Sequence, residues 1–88
     1  MSQPRVLMYA TGWCSYCARA RQLLTHKGIA FEEIDVGARP EARAEMQLRS
    51  RRHTVPQIFI GETHVGGCDD LYELDARGGL DTLLKTGV

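Results

Sequence analysis

The pair of cysteines in Cys14-Ser15-Tyr16-Cys17 constrains this chain more than any other feature, because of what flanks it. Val6-Leu7-Met8-Tyr9-Ala10 is a short apolar run rich in strand formers, and it ends on the turn signal Thr11-Gly12. Such a run predicts a buried strand. Beyond Ser15 the spacing changes. Cys17, Ala20 and Leu24 fall at i, i+3 and i+7 with Leu23 beside them, between polar Arg19, Arg21 and Gln22. That is helical periodicity, and Lys27-Gly28 supplies a basic last turn and a stop. The two cysteines therefore open a helix that follows a strand.

The remaining chain reads in the same alternating way. Phe31 to Val36 is a second strand candidate, and Pro40 opens a second helix running through Leu48 with its acids early. Arg49, Arg51 and Arg52 form a basic cluster, expected to be a solvated face that could also steer an acidic peptide. Pro56 to Ile60 is a third strand, and the turn Gly61-Glu62 folds it back as a hairpin on Thr63-His64-Val65. Asp69 to Ala76 is a third helix, and Leu80 to Lys85 a short terminal one. The order β-α-β-α-β-β-α, closed by that short helix, joins a parallel crossover to an antiparallel hairpin. The expected fold is α/β, a four-stranded mixed sheet with helices on both faces. A C-x-x-C at the start of the helix in the first β-α unit reads as a thioredoxin-like redox site.

Composition narrows the function. With 88 residues the chain has room for one core, so residues 1–88 are expected to form a single domain. Eleven basic and eleven acidic residues give a formal net charge of zero, which argues against a nucleic-acid partner that recognises by bulk charge. No apolar run approaches the ~20 residues of a membrane helix, and nothing at the N-terminus resembles a secretory signal, so the expected location is the cytoplasm. Three cysteines cannot all pair within the chain. In a reducing compartment a C-x-x-C is reactive or metal-binding more often than structural.

The chemistry follows from helix geometry. A helix start carries unpaired N–H groups and a partial positive charge, so it favours an anion such as the Cys14 thiolate. Only the thiolate attacks a disulfide. Cys17 lies one turn later, deeper and less ionised, placed to displace a partner bound to Cys14. The competing reading pairs Cys14 and Cys17 with His64 and Cys68 as zinc ligands, but a C-x-x-C that opens an amphipathic helix lacks the setting of a zinc knuckle. Gly66-Gly67-Cys68-Asp69-Asp70 lets the backbone pass close to a ligand at a helix start, a carboxylate-binding corner or simply a turn with Asp69 or Asp70 as cap. Cys68 itself is expected to be a buried filler. The Val55–Pro56 bond is open between trans and cis on residue evidence. Trp13 is either a packing residue or a rim for the substrate, and His26, His53 and His64 are expected to be surface or packing residues.

Together, Cys14-Ser15-Tyr16-Cys17 after a strand, Thr54-Val55-Pro56-Gln57-Ile58-Phe59-Ile60, Gly66-Gly67-Cys68-Asp69-Asp70-Leu71 and Leu74-Asp75-Ala76-Arg77-Gly78-Gly79-Leu80 resemble the small dithiol glutaredoxins of bacteria over nearly the whole chain. The resemblance implies a thioredoxin-like fold and glutathione as reductant and co-substrate. It implies a thiol–disulfide oxidoreductase acting on glutathionylated or disulfide-bonded proteins through Cys14, with Cys17 resolving. It further implies a cis Pro56, and a glutathione site in which the Val55 backbone beside Thr54 pairs with the tripeptide's cysteine. Gly67 and the N–H groups of Cys68 and Asp69, with the Asp69 carboxylate, would hold its γ-glutamyl end. Tyr16 would flank the sulfur, and Arg43 would meet the glycine carboxylate. Thr11 stands where many members carry Lys, and Ser15 where many carry Pro. Weaker glutathione binding is expected, or compensation by Arg43 or Arg49. Relatives with that serine resemble scaffolds for a [2Fe–2S] cluster, in which two subunits each supply the first cysteine, here Cys14, and two glutathiones complete the ligands. The expected state is a monomer, or a dimer if such a cluster binds.

Overall fold

The structure is a computed structural model that describes residues 3–86. Its elements are β1 (Val6–Ala10), α1 (Ser15–His26), β2 (Glu32–Asp35), α2 (Pro40–Ser50), β3 (Gln57–Ile60), β4 (Thr63–Gly66), α3 (Cys68–Ala76) and α4 (Gly79–Thr86). The four strands form one sheet in the order β2-β1-β3-β4. β1 runs parallel to β2 and antiparallel to β3, and β3 antiparallel to β4. The α/β architecture and the mixed sheet are those expected from the sequence.

Period-two alternation divides the core between the two sheet faces. Val6, Met8 and Ala10 of β1 and Ile58 and Ile60 of β3 join Cys17, Ala20, Leu24, Leu71 and Leu80 from α1, α3 and α4. Leu7, Tyr9 and Phe59 face the other way onto Ala42 and Met46 of α2. Strands covered on both faces bury every residue, which is why β1 reads as an unbroken apolar run.

Several boundaries differ from the sequence reading, each for a backbone reason. β2 loses Phe31 and Val36; Val36 is buried, and its N–H donates to the Ala10 carbonyl at 2.9 Å beyond the strand. Pro56 precedes β3 because it has no N–H for the ladder. α2 continues to Ser50 and is ended by Arg51 in the left-handed region at φ 59°, a conformation usually left to glycine. α3 starts at Cys68, one residue earlier than expected, with Gly67 as its cap residue.

Candidate active site

Cys14 is the N-cap residue of α1, with extended backbone at φ −94° and ψ 116°. Its Sγ accepts the backbone N–H of Cys17 at 3.2 Å, the bond a serine or aspartate oxygen makes at an ordinary helix start. On its other side the Cys14 thiol donates to the Val55 carbonyl at 3.6 Å. The sulfur is thus an acceptor toward the helix and a donor toward the carbonyl. Cys17 is fully buried. Burial first, and then the hydrogen bond with Cys14, push its thiol up to about 12. It therefore holds its proton at neutral pH, in line with the deeper, less ionised role expected of it.

The Val55–Pro56 peptide is cis, as the resemblance implied. Thr54, Val55 and Pro56 form one wall of a groove of about 260 Å³; Tyr16 and the start of α3, from Gly67 to Asp70, line the rest. The first intrahelical bond of α3 runs from Leu71 N–H to the Gly67 carbonyl at 3.0 Å, so the N–H groups of Cys68, Asp69 and Asp70 have no acceptor within the helix. Unpaired N–H groups at a helix start suit an anion. Asp70 supplies the cap: its Oδ2 accepts Gly67 N–H at 2.9 Å and Arg52 Nη1–H at 2.9 Å. Arg52 first, and then the Gly67 N–H, hold this carboxyl below its ordinary range. Gly66 makes the corner at φ 119°, and a Cβ there would collide with the Asp70 carboxylate.

The groove thus gathers Tyr16, Thr54, Val55, Pro56, Gly67, Cys68 and Asp69 beside Cys14. Two expected members lie elsewhere. Thr11 lines a separate cleft with Trp13 and Asp35, and Arg43 sits half-buried on α2 outside the groove lining. Cys68 packs in the core, the filler expected of it. Trp13 is fully exposed, so it is not a packing residue. The expected solvated arginine face is only partly so. Arg49 donates to Tyr9 Oη at 2.9 Å and lies 4.2 Å over the Phe59 ring, and Arg52 holds Asp70. Arg49 is therefore engaged on the α2 face of the sheet. His64 stacks on Phe59 at 4.8 Å, and its Nε2 meets Gln57 Oε1 at 2.7 Å. Among the described residues no group of three or more His, Cys, Asp or Glu side chains converges on a metal site, so the zinc reading finds no support.

The sequence reading places Arg52 in a solvated basic face, without its partner Asp70, and leaves the cap open between Asp69 and Asp70. The signal was present: Asp70 stands three residues after the glycine cap, the capping-box position. A larger concavity, about 580 Å³, lies along the outer face of α1 between Ala18 and His26, but no cysteine lines it.

With this geometry in hand, known proteins supply the context. The family model described as glutaredoxin matches residues 6–65. The chain belongs to the glutaredoxin family. Like its relatives it is a thiol–disulfide oxidoreductase. A glutaredoxin of Pseudomonas aeruginosa is 57% identical over 82 residues, covering 93% of this chain and 98% of that protein. The solution structure of a glutaredoxin from Brucella melitensis superposes with a TM-score of 0.88 at 60% identity, covering 100% of this chain and 96% of that one. A buckwheat glutaredoxin crystallised as a glutathione complex superposes with a TM-score of 0.87 at 27% identity, covering 97% of this chain and 79% of that one. No helix among the described residues is long and apolar enough to cross a membrane.

Proposed function

We propose that this glutaredoxin reduces protein–glutathione mixed disulfides and protein disulfides with Cys14 as nucleophile, Cys17 as resolving thiol and glutathione as reductant, acting as one cytoplasmic domain over residues 1–88. The observation that carries the reading is the Cys14 sulfur itself, capping α1 through the Cys17 N–H at 3.2 Å and meeting at 3.6 Å the carbonyl of Val55, which lines the groove formed with α3. The Cys14 thiolate attacks the glutathione sulfur of the mixed disulfide. The S–S bond breaks, the protein leaves as a thiolate and takes a proton from water, and Cys14 is left joined to glutathione. A second glutathione thiolate then attacks that disulfide, releasing glutathione disulfide and restoring the Cys14 thiolate. With a protein disulfide, the Cys17 thiolate displaces the partner and leaves a Cys14–Cys17 disulfide, which two glutathiones reduce.

The groove suits the tripeptide. Val55, next to Thr54 and Pro56, offers its backbone to the glutathione cysteine, and Tyr16 flanks the sulfur. Beyond Gly67, the open N–H groups of Cys68 and Asp69 receive the γ-glutamyl carboxylate, with the Asp69 carboxylate taking the ammonium. The buckwheat glutathione complex supports glutathione as the ligand of this groove. Arg43, outside the groove lining, and Thr11, in its own cleft, contribute less.

A glutathione-coupled assay on the mixed disulfide of glutathione and 2-mercaptoethanol tests the reading. Wild type turns over, Cys14→Ser loses at least about a thousandfold, and Cys17→Ser stays largely active, because the one-cysteine route needs no resolving thiol. A fully active Cys14→Ser overturns the mechanism. Visible absorbance of the purified protein, lost in Cys14→Ser and kept in Cys17→Ser, would instead support the [2Fe–2S] dimer. Formation of the Cys14–Cys17 disulfide from a mixed disulfide with a protein should also accelerate as the pH rises above neutral, because burial keeps the Cys17 thiol protonated, and single-turnover release of the partner checks it.

A further inference from the structure

A second concavity lies on the other side of the Cys14 loop. β1 runs between β2 and β3, so the groove beside Val55 belongs to the β3 side and a cleft built on the end of β2 belongs to the opposite side. That cleft, about 340 Å³, is lined by Thr11, Gly12, Trp13, Asp35, Gly37 and Ala38. Asp35 is a fixed carboxylate within it. Its Oδ1 accepts the N–H groups of Gly37 at 2.8 Å and Ala38 at 3.2 Å, while Oδ2 has no hydrogen-bond partner among the described residues. Gly37 allows the turn to close, because a Cβ there would stand 3.1 Å from Asp35 Oδ1 and 3.7 Å from the Thr11 methyl group.

The acids of β2 differ in how they are satisfied. Glu32 is paired with Arg5 and Glu33 with Arg21, whereas Asp35 has no cation of this chain beside it among the described residues. Trp13, the residue immediately before Cys14, is 100% exposed. An indole left wholly in water is an unusual place to spend apolar surface. Trp13 and Asp35 line the same cleft, and an indole with a carboxylate is the complement of a cation with an alkyl stem.

We propose that this cleft docks a lysine or arginine side chain of the protein substrate, close in sequence to the cysteine being reduced. The inference rests on the function proposed above and names its substrate class. With glutathione in the groove on the β3 side, the polypeptide carrying the other sulfur has the β2-side rim to lie on. The chemistry is consistent: a cation beside a cysteine lowers its thiol pKa, which makes that thiol both the readier to form a mixed disulfide and the faster to leave from one.

The test compares two glutathionylated peptides, identical except for Lys or Glu two residues after the cysteine. Each kcat/KM is divided by the peptide's own rate of exchange with free glutathione, which removes the effect of the charge on the leaving thiol. Wild type should prefer the lysine peptide by about tenfold at low salt, the sum of a cation–π contact and a half-screened ion pair. Asp35→Asn keeps the Oδ1 acceptor and hence the turn, and should reduce the ratio to about threefold or less, as should Trp13→Ala. Raising salt to about 0.5 M should shrink the ratio in wild type and in Trp13→Ala, which keep the Asp35 carboxylate, and leave that of Asp35→Asn nearly unchanged. Equal rates for the two peptides in wild type, or a ratio that survives Asp35→Asn, overturn the docking proposal alone. No turnover of either peptide ends the proposed function and this inference with it.

Discussion

Two helix starts face the same groove, and they are capped in different ways. At α1 the capping atom is the Cys14 sulfur, so the group that completes the helix is also the one proposed as nucleophile. At α3 the cap is Asp70, drawn three residues back onto Gly67 and held there by Arg52, and the open N–H groups ahead of it remain for a ligand. One terminus closes its first turn on its own sulfur; the other closes it on a carboxylate from the next turn and leaves its first amides open. The difference lies in which residue satisfies the first turn.

The comparison can be broken most sharply at Gly66. With φ at 119° and the Asp70 carboxylate in the way of any Cβ, Gly66→Ala should cost about 2–3 kcal/mol in denaturant unfolding and raise KM for glutathionylated substrates. Unchanged stability and KM would mean that the α3 corner tolerates another backbone path. At α1 the contrast is between two substitutions that both remove the nucleophile. Cys14→Ser retains an acceptor for the Cys17 N–H and should stay within a few tenths of a kcal/mol of wild type, whereas Cys14→Ala should lose about 1 kcal/mol. Equal stabilities would show that the sulfur contributes nothing as a cap.

The smallest effect is the acid dependence of the α3 cap. Asp70 has a depressed folded value, so its contribution is present above the ordinary carboxylate range near ~4 and is lost as the pH falls through the lower folded value. Asp70→Asn should therefore flatten the fall in stability below about pH 4 by a few tenths of a kcal/mol, and salt should diminish the difference, because the pair with Arg52 is half exposed. An identical acid limb in both proteins would remove Asp70 from the account.

Much of this was legible in the residues. α1 was read to its buried positions, because i, i+3, i+7 spacing is set by helix geometry alone and Cys17, Ala20 and Leu24 are the residues that α1 buries. The sheet followed from strand order, which the short connections permit in few ways. Other features depend on partners far apart in the chain. The Cys14 thiol and Val55 carbonyl are separated by 41 residues, Arg49 and Tyr9 by 40, and Arg52 and Asp70 by 18, and no local pattern announces such pairs. The end of α2 was misjudged because Arg51 takes a conformation for which sequence signals point to glycine. Arg43 enters the glutathione site by resemblance alone, and the structure places it half-buried on α2, outside the groove lining.

The contact between α1 and α3 has a consequence for what the groove can admit. Tyr72 Oη–H donates to the Arg19 carbonyl at 3.1 Å, the Arg19 guanidinium lies 5.3 Å over the Tyr72 ring, and Lys27 bridges to Asp75. These ties link the two helices along their length, and they oppose a change in the span from the sulfur to the open amides of α3. A glutamate joined through its side chain and one joined through its main chain carry a carboxylate at the same remove from the cysteine, and differ in the ammonium, which the side-chain linkage sets two carbons further out, on the same carbon as that carboxylate.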